Sequence, residues 1–434
     1  MTAAEELPDE VDFGGVRPLR GRIRVPGDKS ISHRALLFAA IAEGRSTLTH
    51  LATGEDVAAT SAAVQMLGVK VRVAPSGAVV HATGIDGWRE PDTAIDCGNS
   101  GTTMRVLSGI LAGRPFLSVL TGDASLRERP MARIVEPLRA MGAEVDGRAD
   151  GTRAPLTIRG GALRGRRHEL GVASAQVKSA LLLAGLQASD VTEVVSPAAT
   201  RDHTERMLGA LGAPIDVDGL VARIRAGRLE RFDLDVPGDP SSAAFFVVAA
   251  SITPGSEIVL EDVSINPTRL GFVEVLRRMG ADITVVATGE RCGEPTGELV
   301  VRAAALAATV IEGDEIPNVQ DEVPALAIAA AFAEGITEVR DAAELAVKES
   351  NRIGTLHQEL GQLGIAAEPR SDGLVIRGGT PRAALLKCHG DHRIAMAAAI
   401  AANAIDGAST VRGWKAVASS YPGFADDLAS LTIR

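Results

Sequence analysis

Short apolar runs broken by polar turns repeat along this chain, and the repeat is long. Val64-Gln65-Met66-Leu67 and Val273-Glu274-Val275-Leu276-Arg277-Arg278-Met279 carry apolar residues three and four apart, the spacing of one helix face. Each run ends in Leu-Gly or Met-Gly, at Gly68, Gly142, Gly212, Gly280 and Gly364, where a helix needs a left-handed terminating residue. Alternating stretches follow, as in Val69-Lys70-Val71-Arg72-Val73 and Ala281-Asp282-Ile283-Thr284-Val285, and these predict half-buried strands. A second class of run is apolar nearly all round, as in Ser179-Ala180-Leu181-Leu182-Leu183-Ala184-Gly185-Leu186. Such a helix must be buried, and this one is too short to span a bilayer. The unit reads as helix-strand-helix-strand and recurs about every 70 residues, longer than the ~20–50 of solenoid arrays. A sixth, incomplete copy ends near Leu431.

One pair of copies shares its opening residues. Val25-Pro26-Gly27-Asp28 leads into Lys29-Ser30, and Val236-Pro237-Gly238-Asp239 leads into Pro240-Ser241-Ser242. The echo points to duplication, and the divergence points to different chemistry, because only the first copy carries a cation. The 434 residues fit two domains of about 200 residues each. Aromatics make up only 3% of the chain, so the core must be aliphatic and alanine-rich. A net charge of −10 argues against nucleic-acid binding as the main function. Cys97, Cys292 and Cys388 have no zinc-like spacing and suggest no disulfide framework. Met1 to Gly15 is acidic and lacks an apolar run, which predicts a fraying start, no secretory leader and a cytoplasmic location.

Unusual polar residues collect where helices begin. The turns read Asp28-Lys29-Ser30, Asn99-Ser100-Gly101-Thr102, Ser174-Ala175-Gln176, Asp239-Pro240-Ser241-Ser242, Asp321-Glu322 and Asp391-His392-Arg393. Others are Arg127-Glu128-Arg129-Pro130, Arg201-Asp202-His203, Asn266-Pro267-Thr268-Arg269 and Lys348-Glu349-Ser350-Asn351-Arg352. Capping explains Asp239, Ser241, Ser242 and Asn266. It does not explain Lys29, Arg34, Arg129, Arg201, Lys348, Arg352 and Arg393, because a cation at a helix start opposes the macrodipole. An anionic ligand reconciles them: backbone N–H groups, dipoles and cations then converge on phosphates or carboxylates. Gly27-Asp28-Lys29-Ser30 lacks the earlier Gly of a P-loop, and no Gly-x-Ser-x-Gly, His-Glu-x-x-His or dinucleotide fingerprint occurs.

Six segments then match one family, in its order and over almost the whole chain. They are Pro26–Arg34, Gly98–Arg105, Glu128–Met131, Ala173–Ala180, Val347–Ser350 with Arg352, and Asp391–Met396. The chain resembles the 5-enolpyruvylshikimate-3-phosphate synthases, the 3-phosphoshikimate 1-carboxyvinyltransferases. That resemblance implies an α/β (α+β) fold of two similar domains, each of three βαβαββ repeats, an inside-out α/β barrel joined by a two-strand hinge. The domains would be 27–237, and 1–26 with 238–434, with helix N-termini facing the cleft between them and closure on substrate. It implies transfer of an enolpyruvyl group from phosphoenolpyruvate to the 5-hydroxyl of shikimate 3-phosphate, with no metal or other cofactor, no nucleic-acid or membrane partner, and a monomer.

By the same resemblance, Lys29, Asn99, Gly101, Arg129, Gln176, Arg352 and Arg393 would hold phosphoenolpyruvate. Lys29, Ser30, Arg34, Ser174, Ala175, Gln176, Thr200, Arg201, Asp321 and Lys348 would hold shikimate 3-phosphate. Asp321 is the candidate base for the 5-hydroxyl, and Glu349, with Lys29, the candidate for proton exchange at the methylene carbon. The plain readings are a helix N-cap for Asp321 and a surface pair with Arg352 for Glu349. His33 and His203 read as structural. Lys178, Lys387 and Lys415 read as solvated or locally paired. Two positions depart from the family pattern: Asn351 stands where Asp is usual, which bears on the orientation of Arg352, and Ser419 stands where many members have Lys, which removes or replaces one phosphate contact. Two other readings remain open, a UDP-N-acetylglucosamine enolpyruvyl transferase and a non-catalytic anion-binding relative. Gly101 matches the small residue of herbicide-sensitive members, which predicts appreciable inhibition by glyphosate; unchanged activity at millimolar glyphosate would contradict it.

Overall fold

The structure is a computed structural model and describes residues 7–74 and 77–432. The chain divides into two compact units, one of Gly27–Val236 with Glu290–Glu294, the other of the residues up to Pro26 with Pro237–Gly289 and Pro295–Arg434.

In the unit beginning at Gly27, three helices are apolar over most of their length and buried beyond their first two residues: Lys29–Ile41, Gly101–Leu111 and Ala175–Gly185. A helix with no polar face must be covered on every side. Here the helices cover one another, the Gly101 helix packing on both others, and each is also backed by its own sheet. The three sheets share one plan. A short strand runs parallel to a central strand, and a hairpin adds antiparallel partners. In the second sheet these are Ile95–Asp96, Leu117–Thr121 and the hairpin Glu144–Arg148 with Arg153–Arg159. Arg167–Glu169, Thr192–Val195, Ile215–Asp218 and Val221–Ile224 repeat it. In the first sheet, Ala42–Thr49, Lys70–Ala74 and Gly77–Thr83 take their parallel partners from Leu229–Glu230 and Asp233–Asp235, after the third copy. The end of the third repeat therefore closes the ring on the first.

The second unit repeats the plan with the enclosed helices Pro240–Ile252, Val323–Phe332 and His392–Asn403, each packing on the other two. Arg20–Ile23 runs parallel to Glu257–Ser264 as the first strand of the fourth copy. The middle sheet is Val310–Ile311, Ile336–Val339, Gly373–Arg377 and Ala367–Arg370. In the last, Leu385–Lys387 lies parallel to Ala408–Arg412, and Glu10–Gly14 supplies the antiparallel partner. The expected fraying start is thus corrected for Glu10–Gly14, which a five-residue register holds in place; for residues 1–6 that expectation lies outside the described residues. The few aromatics gather here, Phe246, Tyr421 and Phe424 meeting ring to ring at 5.1–6.1 Å.

The terminating glycines at 68, 142, 212, 280 and 364 all have φ between 76° and 107°. The helix-strand-helix-strand unit proves short by two strands, the hairpin partner and the parallel lead strand of only two to four residues, too brief to show a periodicity. Gly109 lets the Gly101 and Ala175 helices touch: a Cβ there would lie 2.0 Å from the Ala180 carbonyl oxygen. Gly109→Ala is expected to destabilise the protein by about 1–3 kcal/mol through overpacking, seen as a lower urea midpoint. An unchanged midpoint would refute the close contact.

Candidate active site

In the unit beginning at Gly27, the candidate residues stand at the starts of the three enclosed helices. Asp28 caps the first, its Oδ1 accepting from Ile31 N at 2.8 Å. Ser100 and Ser174 cap the second and third, accepting from Thr103 N and Val177 N. Lys29 begins its helix and reaches Asp56 Oδ2 at 3.0 Å. Arg129 donates to Asn99 Oδ1 at 2.6 Å, and Asn99 Nδ2 donates to Asp123 at the same distance. Gln176 Oε1 accepts from Arg105 at 2.7 Å while its Nε2 donates to Thr102 Oγ1 at 2.9 Å. Gly101 lies beneath both guanidinium groups: a Cβ there would be 2.9 Å from an Arg105 nitrogen and 3.4 Å from one of Arg129.

Arg34 is buried in the second turn of its helix. It donates to the Ser30 carbonyl, to Thr204 Oγ1 at 2.7 Å and to Ser179 Oγ at 2.7 Å. Burial pulls its pKa down to about 10, opposed by the Glu205 and Asp28 carboxylates. Thr200 is buried and Arg201 half-buried just ahead of the His203–Ala210 helix. Ala175 is the first residue of its helix.

The second unit holds the other candidates, and one carboxylate organises them. Asp391 caps the His392 helix, its Oδ1 accepting from Arg393 N at 2.9 Å. The same side chain accepts from Arg352 Nε at 2.8 Å and from Ser350 Oγ at 3.1 Å. Arg352 also reaches Glu349 at 2.7 Å and lies 3.6 Å from Asp321. Lys348 Nζ approaches Asp321 at 3.3 Å, and Arg393 donates to the Asp321 carbonyl oxygen at 2.9 Å. Arg352 is 1% exposed. Burial alone would lower its pKa, but Asp391 and Glu349 outweigh burial and raise it. For Asp391, burial raises the pKa and Arg352 overcomes it, leaving it below the usual range.

Several readings change on inspection. Asp321 is not the helix cap: the Val323–Phe332 helix begins after Glu322, and no side chain caps it. The Glu349–Arg352 pair is no surface pair, since Arg352 is buried. Lys178 is paired rather than solvated: it is 6% exposed and its ammonium meets Glu205 at 2.5 Å. Arg129 ends the Ala124–Glu128 helix and stands two residues before Met131, the N-cap of the Ala132–Met141 helix. Ser241 and Ser242 do not cap; Asp239 does, and Ser241 donates to Glu322 and accepts from Arg269. Arg269, 2% exposed, gives the second Val-Pro-Gly-Asp segment the cation its own turn lacks. Asn351 caps the Arg352 helix, its Oδ1 accepting from Gly354 N at 3.2 Å. Ser419 Oγ sits 3.0 Å from His392 Nδ1.

His33 and His203 have internal partners. His33 Nδ1 lies 2.6 Å from Thr60 Oγ1, and burial pushes its pKa down to about 3. His203 faces the buried Glu294 at 2.7 Å. Sequence reasoning left Arg105 and Asp391 out of the site. Arg105 stands four residues after Gly101, on the same helix face, which was the available signal. Among the described residues, no three His, Cys, Asp or Glu side chains are grouped to hold a metal ion, and no helix is long and apolar enough to cross a membrane.

Residues 14–428 match the model of the family described as EPSP synthase (3-phosphoshikimate 1-carboxyvinyltransferase). The chain belongs to the EPSP synthase family. A 3-phosphoshikimate 1-carboxyvinyltransferase of Synechococcus sp. is 50% identical over 99% of this chain and 98% of its own. One of Chloroflexus aurantiacus is 52% identical over 95% and 96%. The solved EPSP synthase of Acinetobacter baumannii is 43% identical, superposes with a TM-score of 0.87 and covers 98% of both chains. The enolpyruvyl transferase NikO of Streptomyces tendae, at 18% identity and a TM-score of 0.78, shares the fold. The two-domain inside-out α/β architecture is that of the EPSP synthases.

Asp391→Asn is expected to lower stability at neutral pH by about 3–5 kcal/mol, because it leaves Arg352 buried beside fewer charges. The folded pKa of Asp391 lies below the unfolded value of about 3.9. Its contribution is therefore present above that value and lost as pH falls through the folded pKa. Urea titrations should show the gap between wild type and variant narrowing in acid; a gap that stays constant would refute the ion pair's role.

Proposed function

We infer that the protein transfers the enolpyruvyl group of phosphoenolpyruvate to the 5-hydroxyl of shikimate 3-phosphate and releases phosphate. Membership of the EPSP synthase family at about half identity over nearly full length carries this reading. The site chemistry supports it: cations stand at or near helix starts that already favour anions, which suits two multiply charged substrates.

The proposed steps balance without another reagent. A proton is added to C3 of phosphoenolpyruvate as the 5-hydroxyl oxygen attacks C2 and gives up its own proton. The resulting tetrahedral intermediate loses phosphate from C2 and a proton from C3, restoring the double bond. In this reading Asp321 takes the hydroxyl proton, and it already stands 3.3 Å from Lys348, which would neutralise the substrate nearby. Glu349 and Lys29 exchange the C3 proton. Arg352 and Arg393 fork the carboxylate, while Lys29, Arg129 and Gln176 hold the phosphate, with Asn99 orienting Arg129. Ser30, Arg34, Ser174, Ala175, Gln176, Thr200, Arg201 and Lys348 hold shikimate 3-phosphate. Arg105 joins them by fixing the Gln176 amide, so that its Nε2 side is the donor.

Phosphate release from phosphoenolpyruvate should require shikimate 3-phosphate. Lys29→Ala and Arg352→Ala should each lower kcat/KM by about 10²–10³, the range for removing one preorganised group. Release with UDP-N-acetylglucosamine instead would give the reaction to the alternative acceptor. Tight binding without release would make the chain an anion-binding relative.

A further inference from the structure

The outer face of the first sheet gathers five basic side chains that the proposed reaction does not use. Arg45 on Ala42–Thr49 pairs in register with His81 on Gly77–Thr83, and His81 pairs with Lys70 on the edge strand Lys70–Ala74. The three thus form one row across three strands. Arg72 follows on the same face of the edge strand. Arg89 closes one end, its side chain against Gly68, where an added Cβ would lie 3.0 Å from Nε. All five are exposed.

They line two joined clefts. One, of about 770 Å³, has Gln65, Lys70, Arg72, His81 and Arg89 as its polar lining. The other, of about 350 Å³, shares Lys70 and His81 and adds Arg45. Neither has an acidic residue in its wall. Among the described residues, none of the five side chains has a hydrogen bond or ion pair. Exposed arginines elsewhere, such as Arg148, Arg167 and Arg340, do find carboxylates. Nearby acids are engaged away from the cleft: Asp86 with Arg114 and Arg228, and Glu90 with the Leu117 N–H. Glu43, two residues before Arg45 on the same face of that strand, lines a neighbouring cavity that shares Gly84 with the second cleft.

Like charges side by side on a sheet cost free energy unless a counter-charge lies between them. In a chain of net charge −10 such a cluster is the more unusual. We propose that this cleft binds a compact oligophosphate, the phosphate chain spanning the Arg45–His81–Lys70 row and forked by Arg72 and Arg89. A short anion stays within the roughly 8–10 Å over which these charges act, whereas a long polyanion would meet the acidic remainder of the surface. The cleft offers no exposed Phe, Tyr or Trp on which a base could stack, Trp88 being buried, so phosphate is the group recognised.

The test is calorimetric titration of the full chain with inorganic tripolyphosphate, orthophosphate and ATP, on wild type and on Lys70→Gln/Arg72→Gln. Tripolyphosphate should bind one per chain and orthophosphate far more weakly. The double variant should weaken tripolyphosphate by about tenfold or more, equivalent to about 1.4 kcal/mol, while its ligand-free melting temperature stays unchanged. ATP binding as tightly as tripolyphosphate assigns the contact to the phosphate chain of either source. Arg45→Gln/Arg89→Gln replaces the first variant should that one melt early. Absent binding, binding equally tight in folded variants, or binding of ATP without tripolyphosphate overturns the proposal. None of these readouts depends on the transfer reaction.

Discussion

A helix that is apolar on every side dictates the architecture of both units. It cannot lie on a surface, so it must be enclosed by other apolar faces. Among the described residues six such helices occur, three to a unit, and each unit solves the problem by packing its three together inside sheets. The sheets need only one apolar face each, which their alternating strands supply. Enclosure leaves the helix ends as the places where polar groups can sit, and the caps Asp28, Ser100, Ser174, Asp239 and Asp391 all stand there.

Those ends also set the electrostatics. Asp391 serves two needs with one carboxylate, capping a buried helix and anchoring the buried guanidinium of Arg352. Arg352 is thereby held at a helix start, where the dipole opposes it, by two charge-assisted bonds that the low-dielectric surroundings strengthen. Carboxylates shared in this way keep the cations ordered. Lys348 pairs with Asp321, and Arg393 donates to the Asp321 carbonyl oxygen and lies 3.9 Å from Glu322.

Much of this was legible in the residues. The enclosed helices announced themselves by apolar content, the helix ends by their glycines, and the family by six ordered motifs. What was missed follows from short range or long reach. Lead strands of two to four residues show no alternation. Lys178 looks like any helix lysine until Glu205, on another helix, is brought to it. Asp391 reads as a cap because caps are local, whereas its bond to Arg352 joins residues 39 apart. The start of the chain read as loose because nothing near it is apolar enough to bury it, and its partner strand lies at the other end of the sequence.

That last pairing has a consequence for the order in which the molecule is made. Glu10 meets Arg412, and Leu19 bridges to Thr432. The ring begun at Gly27 closes with strands ending at Asp235, and only Glu290–Glu294, where Glu294 faces His203, joins it from later in the chain. The other ring pairs the early strand Glu10–Gly14 with the late strand Ala408–Arg412, so the first must wait for the second. Loss of Ala408–Arg412 therefore strikes the same module as loss of Glu10–Gly14.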